Sequence, residues 1–500
     1  MKLAQLLEGV RVSKMFQTMF GRMVVTHDVE VRAIQYDSRN IEQGDCFVAI
    51  RGGGTDGHRF VEMAINKGAK VVVVEDDSAL PDSFFMHAGV IKVVVPDTRK
   101  ALALLSANYY GHPSRRLKMV GVTGTNGKTT TTHIVKSILE SAGWKVGLIG
   151  TIEYRIGETV IPATHTTPES VELQSLLARM VAEGCTAVSM EVSSHALDQS
   201  RVHGIDYTVA AFTNLTQDHL DYHGTMERYF QAKKTLFDTL ASTSWSVSNA
   251  DDEWGTKILA DAPPQRLLYG MMQPADVRAT DVRLSIDGTS FIVHHAGEQT
   301  HVRSTLVGRF NVSNMLAAFS VGLALGLSKE TIQQGIASVS NVRGRFEKIQ
   351  SPKGWTAIID YAHTPDALEK CLHTIRDVLP QEGRGRIIAV FGAGGDRDNT
   401  KRPLMGKVAG TLADCVIVTS DNPRTEDPEK IIDEIVKGIP EGTSYKRIAD
   451  RRKAIEHAVN VAQAGDVILI AGKGHEEYQV IGQEKRAFSD RQIVEELLLM

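Results

Sequence analysis

Val120-Gly121-Val122-Thr123-Gly124-Thr125-Asn126-Gly127-Lys128-Thr129-Thr130 is the stretch on which the reading of this chain turns. The apolar run Leu117 to Val122 predicts a buried strand. Thr129 to Ala142 predicts a helix, with Ile134, Val135, Ile138 and Leu139 at helical spacing. Between them lies a glycine-rich turn ending in Gly-Lys-Thr. Small residues let backbone N–H groups close on phosphate oxygens, and a helix N-terminus adds the positive end of its dipole. Lys128 offers a point charge to the terminal phosphates, and the Thr129 hydroxyl suits Mg2+. The spacing is irregular: the position five before Gly127 is Val122, and the nearer glycine is Gly124. The plain alternative is an ordinary strand-to-helix turn, which the Gly-Lys-Thr-Thr ending argues against.

Around this loop the composition is that of an ordinary packed protein. The 500 residues suggest about three domains at roughly 150 residues each. A formal net charge of −4 gives no ground for a nucleic-acid partner, so positive charge has to be focused locally. Cys46, Cys185, Cys371 and Cys415 are far apart and form no Cys-x-x-Cys pair, which suggests a reducing compartment. No apolar stretch approaches 18 residues, and the first residues lack the apolar region of a signal peptide. A cytoplasmic chain with no membrane association is expected, as a monomer.

The fold class expected is α/β in three domains. Residues 1–112 alternate strands (Cys46 to Ile50, Val71 to Glu75, Ile91 to Val95) with helices, ending at Gly111-His112-Pro113-Ser114. Residues 113–345 form a central domain with a parallel, P-loop ATPase-like sheet. Its strands include Lys145 to Gly150, Thr186 to Val192 and Thr208 to Thr213. The alternation from Val282 to Val302, with turns at Asp287-Gly288 and Ala296-Gly297, predicts hairpins as a small antiparallel edge. Residues 346–500 predict a Rossmann-like doubly wound domain, with strands Ala357 to Asp360, Arg386 to Phe391, Cys415 to Ser420 and Asp466 to Ala471.

In open α/β sheets ligands sit at the carboxyl ends of strands. One predicted strand leads into Glu191-Val192-Ser193-Ser194-His195, another into Asn214 to Gly224 with His219, so Glu191 and His219 are Mg2+ ligand candidates beside Thr129. Lys233, on a predicted helix from Met226 to Leu240, reads by itself as a solvated surface lysine. In the last block, Gly392 to Asp398 and Gly472-Lys473-Gly474-His475-Glu476 place glycines and a cation just past strand ends, where backbone nests bind anions. Asp421-Asn422-Pro423-Arg424 follows a strand too; Pro423 stiffens that turn and Arg424 presents a rigid fork to a carboxylate. The conjunction fits an enzyme that uses ATP to join substrates carrying several negative charges.

These residues resemble the Mur ligase family. Gly124-Thr125-Asn126-Gly127-Lys128-Thr129-Thr130 is similar to its ATP signature, irregular glycine spacing included. The likeness extends to Tyr36-Asp37-Ser38-Arg39, Gly44 to Ala49, Met190 to His195, Asn214 to Gly224, Gly344-Arg345-Phe346-Glu347 and Asp360 to Pro365. The resemblance implies a UDP-sugar-binding first domain, a central ATP-binding domain and an amino-acid-binding last domain. It implies that a carboxylate is phosphorylated by ATP to an acyl phosphate, which an amine then attacks. Lys128, Lys233 and His219 are the catalytic residues it implies. Thr129, Glu191, His219 and Lys233 are the implied Mg2+ ligands, Lys233 as a carbamate. The phosphate loop with Asn311, Arg345, Asp360 and His363 would contact ATP. Ser38 and Gly52 to His58 match the UDP end of the acceptor, and Thr166, Thr167, Ser193, Gln199 and Arg201 its muramoyl-dipeptide. His165 departs from the asparagine often found before those threonines.

Within the family the resemblance points to the branch that adds meso-2,6-diaminopimelate to UDP-N-acetylmuramoyl-L-alanyl-D-glutamate. Asp421-Asn422-Pro423-Arg424 matches the form that takes diaminopimelate rather than L-lysine. Diaminopimelate carries a distal carboxylate that an arginine binds bidentately, and lysine lacks it. Arg397, Gly472 and Glu476 complete the implied site, Glu476 pairing with the distal ammonium. The alternatives are an L-lysine-adding homologue, another ligase of the superfamily such as folylpolyglutamate synthetase, and a P-loop kinase.

Overall fold

A computed structural model describes every residue except 24, 26, 27, 53, 79, 264, 380–384 and 500. Gly53, within the glycine-rich segment matched to the UDP end, therefore lies outside the described residues. The chain divides into two compact units. One comprises Met1–Gly121, Trp144–Thr208 and Thr239–Ser244; the other comprises Val122–Gly143, Val209–Asp238 and Trp245–Met500.

The first unit holds a five-stranded sheet in the order Lys14–Phe16, Ile91–Val94, Val71–Val74, Cys46–Val48, Ile34–Gln35, parallel except at the first strand. Its central strands are short apolar runs buried on both faces, as parallel sheets require. The period of two divides them: Val71 and Val73 join the core with Leu3, Leu6 and Leu105, while Val72 and Val74 pack with Phe47, Val61 and Phe85. The helix Thr98–Tyr109 begins where Asp97 accepts the N–H groups of Arg99 and Lys100. The same unit contains Ala187–Glu191 parallel to Val146–Ile149, followed by the antiparallel strands Glu153–Ile156 and Thr159–Pro162.

In the second unit, Val209–Phe212, Trp245–Asn249, Arg266–Gly270 and Val277–Ser285 pair in parallel. Gly288–His295 and Glu298–Ser304 then add the antiparallel hairpins expected from the alternation. A six-stranded sheet follows, ordered Glu347–Gln350, Thr356–Asp360, Val467–Ala471, Ile387–Phe391, Cys415–Val418, Tyr445–Arg447. Only its first pairing is antiparallel. Helices cover both faces of this doubly wound sheet, with Ala389 and Phe391 in one core and Ile388 and Val390 in the other. The late strand Val467–Ala471 inserts between two earlier ones. That insertion brings the turns after Asp360, Phe391, Val418 and Ala471 to one end of the sheet. Among the described residues no helix is long and apolar enough to cross a membrane.

Candidate active site

Strand Lys118–Thr123 delivers the phosphate loop and helix Lys128–Ser141 leaves it. The irregular glycine spacing has a steric cause. A Cβ at Gly124 would lie 1.9 Å from Thr213 Oγ1, and one at Gly127 would lie 2.3 Å from Asn314 Oδ1. Gly127 also has a left-handed φ of +86°, which a side chain would strain. Loop residues are held from the end of Val209–Phe212: Thr125 N donates to Asn214 O (2.8 Å), Asn126 N to Asn214 Oδ1 (2.9 Å) and Thr213 Oγ1 to Asn126 O (2.6 Å). Lys128 Nζ folds back to the carbonyls of Gly124 (2.9 Å) and Thr125 (2.8 Å).

Lys233 is not the solvated lysine its local sequence suggests. Helix Met226–Asp238 buries it to 1% exposure, and its Nζ donates to Gly124 O at 2.9 Å beneath the loop. The ammonium position lies 4.5 Å from the Tyr229 ring centroid. Burial, reinforced by the nearby Lys128 charge, drives its pKa well below the ordinary lysine value. His219 sits at left-handed φ, 3.5 Å from the Asp218 carboxylate and edge-on to Tyr229. Burial opposes ionisation of Asp218, yet His363, His219 and Lys401 together hold its carboxyl below the usual range. Sequence reading passed over Asp218; its only signal was its place beside His219.

Arg345 reaches the loop by donating from Nη2 to Thr129 Oγ1 (3.1 Å) while its guanidinium stacks on Tyr361, 4.8 Å from the centroid. Its Nε is buried with no hydrogen-bond partner, an orphaned donor that a bound phosphate would satisfy. Asp360 accepts the N–H groups of Phe346 (2.6 Å) and Ala362 (2.7 Å), so it shapes the turn that aims Arg345; burial raises its pKa. His363 Nδ1 lies 2.8 Å from Tyr361 O, and burial lowers its pKa. Asn311 stands one step behind the loop. Its Oδ1 accepts from Asn314 Nδ2 (3.1 Å), and Asn314 is the residue pressed against Gly127. Asp366, also unforeseen, accepts from Asn126 Nδ2 (3.1 Å), Thr216 Oγ1 (3.3 Å) and Lys370 Nζ (2.8 Å).

The loop, its lysine and the unsatisfied Arg345 donor fit a nucleotide triphosphate. Among the described residues no group of three or more His, Cys, Asp or Glu is arranged to hold a metal. The Thr129 hydroxyl, at the start of the helix leaving the loop, is an oxygen donor of the kind Mg2+ takes together with phosphate oxygens and water.

His475 also borders this region, with its ring 5.4 Å from that of Tyr361 and its Nδ1 buried without a partner. Burial, then the Arg345 and Arg343 charges, push its pKa down to about 3. The folded state therefore resists a proton that the unfolded chain accepts, and stability contributed by this site falls as pH drops from about 6.5 towards 3. His475→Phe is expected to lose less stability than the parent between pH 7 and pH 4 in urea titrations. Equal losses would remove His475 from the acid response.

The third cluster lies past the neighbouring strand ends of the last sheet. Arg424 has φ of 52°, held there by bonds from its N to Val480 O (3.1 Å) and from Gly482 N to its carbonyl (2.7 Å). Its Nη1 donates to Gly395 O (2.6 Å), which leaves the rest of the fork for a ligand. Asn422 Nδ2 donates to Glu476 Oε2 (2.9 Å), and Pro423 presses on Gly395, where a Cβ would meet its carbonyl at 1.9 Å. Arg397 is exposed near Gly394. Lys473 is not an open anion-binding cation: it is fully buried and turned towards Asn422 and Glu476.

Both turns hang from one buried ion pair. Arg451 and Asp490 are inaccessible and joined by two bonds (2.8 and 2.7 Å), and Arg451 also donates to Ala471 O (3.0 Å) and Ser420 O (3.4 Å). Asp490→Ala would strand the Arg451 charge. It is expected to cost about 3–5 kcal/mol, read as a lower Tm in thermal melts; a loss below about 1 kcal/mol would refute the clamp.

The residues matched to the acceptor lie in the first unit, as does the Mg2+ ligand candidate Glu191. Glu191, fully buried, accepts Thr151 N (2.8 Å) at one oxygen and Thr151 Oγ1 (3.0 Å) at the other. Thr166 Oγ1 contacts Thr151 Oγ1 (3.1 Å), and Thr167 Oγ1 donates to Glu191 O (2.9 Å) while accepting Ser193 N (3.1 Å). Arg201 donates to Thr167 O (3.0 Å), to Gln199 Oε1 (2.6 Å) and pairs with Glu169 (2.9 Å). His165 is engaged through its backbone, its carbonyl accepting Tyr154 OH (2.6 Å). Ser38, 6% exposed, lies apart from this network against Met63.

Three family models match the chain: "Mur ligase family, catalytic domain" over residues 30–110, "Mur ligase middle domain" over 122–322 and "Mur ligase, glutamate ligase domain" over 344–474. A curated relative from Clostridium botulinum is 45% identical over 472 residues, covering 94% of this chain and 95% of its own. The chain belongs to the Mur ligase family. Like its Mur ligase relatives it is an ATP-dependent amide ligase of peptidoglycan precursor synthesis. The Clostridium relative is named UDP-N-acetylmuramoyl-L-alanyl-D-glutamate--2,6-diaminopimelate ligase. A solved structure of a Mur ligase of that same name matches with TM-score 0.68 and 33% identity, over 97% of this chain and 98% of its own. The fold is also that of a MurF ligase from Thermotoga maritima solved with ADP, at TM-score 0.64 and 21% identity, covering 94% and 98% of the two chains.

Proposed function

We propose that this chain joins meso-2,6-diaminopimelate to UDP-N-acetylmuramoyl-L-alanyl-D-glutamate, with ATP converted to ADP and phosphate. A carboxylate oxygen of the D-glutamyl residue attacks the γ-phosphorus and ADP leaves. The amine of diaminopimelate then attacks the acyl carbon, sheds a proton, and phosphate leaves from the new amide. Carboxylates are poor electrophiles, so positioning and charge neutralisation supply most of the acceleration. Lys128 would transfer its ammonium from the loop carbonyls to the moving phosphoryl group, and Arg345 would direct its unsatisfied donor there. Thr129, Glu191, His219 and a carbamylated Lys233 would hold Mg2+, which neutralises phosphate charge when bound. The depressed Lys233 pKa supports the carbamate, because the neutral amine is the form that adds to carbon dioxide.

We assign residues 1–112 to the UDP-sugar, 113–345 to ATP and 346–500 to the amino acid, with the reaction in the cytoplasm and the protein a monomer. Ser38, Thr166, Thr167, Ser193, Gln199 and Arg201 would hold the UDP-muramoyl-dipeptide. Arg397, Asp421, Asn422, Pro423, Arg424, Gly472 and Glu476 would hold diaminopimelate. The observation that carries the choice of amino acid is Arg424, locked by its backbone with part of its fork unspent, beside the Glu476 carboxylate.

The test is phosphate release from purified protein with ATP, Mg2+ and UDP-muramoyl-dipeptide, with diaminopimelate or L-lysine. Release that requires both the dipeptide and diaminopimelate supports the reading. Equal use of L-lysine would overturn the choice of amino acid, and release without an amino acid would indicate a kinase or simple ATPase.

A further inference from the structure

The turn after strand Val467–Ala471 buries a lysine to which the reaction above gives no part. Lys473 is fully inaccessible, and its Nζ donates to Asn422 Oδ1 (2.9 Å) and Glu476 Oε2 (3.0 Å) and lies 4.0 Å from Asp421 Oδ1. Gly472, at φ of +116°, permits this closeness, since a Cβ there would stand 2.4 Å from Asp421 Oδ2. Asn422 is locked in the same set: its Oδ1 also accepts Val480 N (2.9 Å) and its Nδ2 donates to Glu476 (2.9 Å). Lys473 is thus a buried cation set between two carboxylates.

The charges of that group decide what it favours. Asp421 and Glu476 carry two negative charges; Lys473, with Arg424 and Arg397 of the same site, carries three positive ones. An amino-acid centre with one ammonium and one carboxylate sums to zero, whereas the end of a lysine side chain is a bare cation. Removing Lys473 would take away the cation in contact with Glu476 and leave both carboxylates more attractive to an extra positive charge. Specificity of this kind depends on making the wrong partner unfavourable as much as on holding the right one.

We propose that Lys473 is a specificity-determining residue, which sets the charge of the amino-acid pocket to suit a zwitterionic distal centre and to disfavour a lone ammonium. Arg424 supplies attraction for the distal carboxylate; Lys473 withholds the surplus negative charge that would reward L-lysine. The proposal rests on the reaction assigned above, and its effect is separable from it.

The experiment compares the parent enzyme with Lys473→Met, Lys473→Gln and Lys473→Arg. For each, kcat and KM are measured for diaminopimelate and L-lysine at saturating ATP and UDP-muramoyl-dipeptide, with KM for ATP measured alongside. The ratio of kcat/KM for diaminopimelate to that for L-lysine is expected to fall about tenfold or more in the Met and Gln variants, with KM for ATP unchanged within about twofold. Lys473→Arg keeps the charge and should keep the ratio within about threefold. A ratio that is unchanged in the neutral variants overturns the proposal, as does an Arg variant that loses preference as fully as they do. Where Met fails to fold, Gln and Arg decide by the same comparison. A parent enzyme that uses neither amino acid refutes the assigned reaction; the variant-to-parent change in ratio tests Lys473.

Discussion

Lys233→Met is expected to lower ligase turnover about 10²–10³-fold at saturating substrates, the range associated with loss of one preorganised electrostatic group in a closed site. The side chains are similar in length, so the helix Met226–Asp238 should keep its packing and the loss should lie in kcat rather than in folding. Its Nζ is buried beneath Gly124, where desolvation penalises the charged form. Because burial lowers its pKa, the amine stays neutral further below the usual lysine range. Its lone pair can then bond the carbon of carbon dioxide while an N–H proton passes to solvent, leaving an anionic oxygen. Activity should fall in buffers stripped of carbon dioxide and return with bicarbonate, and carbon-13 bicarbonate should give a carbamate signal that Lys233→Met lacks. An active enzyme with a bare Lys233 ammonium would defeat this assignment.

Arg424→Lys is expected to raise KM for diaminopimelate roughly tenfold to 150-fold, the equivalent of the about 1.5–3 kcal/mol contributed by one hydrogen bond to a charged group. A lysine there keeps the charge but has no planar fork, so it replaces two parallel N–H···O bonds with a point contact. The neighbouring Gly395 carbonyl, now satisfied by Nη1, would compete for the single ammonium. KM for ATP should not move, because Lys128, Arg345 and Thr129 are untouched. Unchanged KM and kcat for diaminopimelate would refute the role of Arg424. Arg424 is expected to act mainly on KM for diaminopimelate and Lys233 on kcat, so the two substitutions separate recognition of the amino acid from phosphoryl transfer.

Local pattern carried much of the fold. Apolar runs such as Val71–Val74 and Ile387–Phe391 were readable because both faces of a parallel strand are buried, and element ends fell within a residue or two. The hairpins Gly288–His295 and Glu298–Ser304 followed from a period of two and two glycine turns. The antiparallel strand Glu347–Gln350 was not foreseen; only pairing with Thr356–Asp360 makes that polar run a strand. The site was legible where chemistry is local, as in Gly124 to Thr129, and illegible where burial depends on distant chain. Lys233 and Lys473 look like surface lysines in their own neighbourhoods. Each is covered by segments far from it in sequence, Lys473 by the turn at Asp421 and Asn422. Asp218 and Asp366 were missed for the same reason, since what matters in them is their partners.

Asp366 has a bearing on how the protein is made. Its carboxylate grips Asn126 and Thr216 across sequence separations of 240 and 150 residues, and Arg345 reaches Thr129 across 216. A chain growing from a ribosome would therefore display its nucleotide loop long before the groups that complete it exist. Half-made molecules would lack Arg345 and the Asp366 anchor, and so should consume little ATP until synthesis has passed the helix Pro365–Val378. The contacts between distant segments tie completion of the nucleotide loop to synthesis of the chain beyond Pro365.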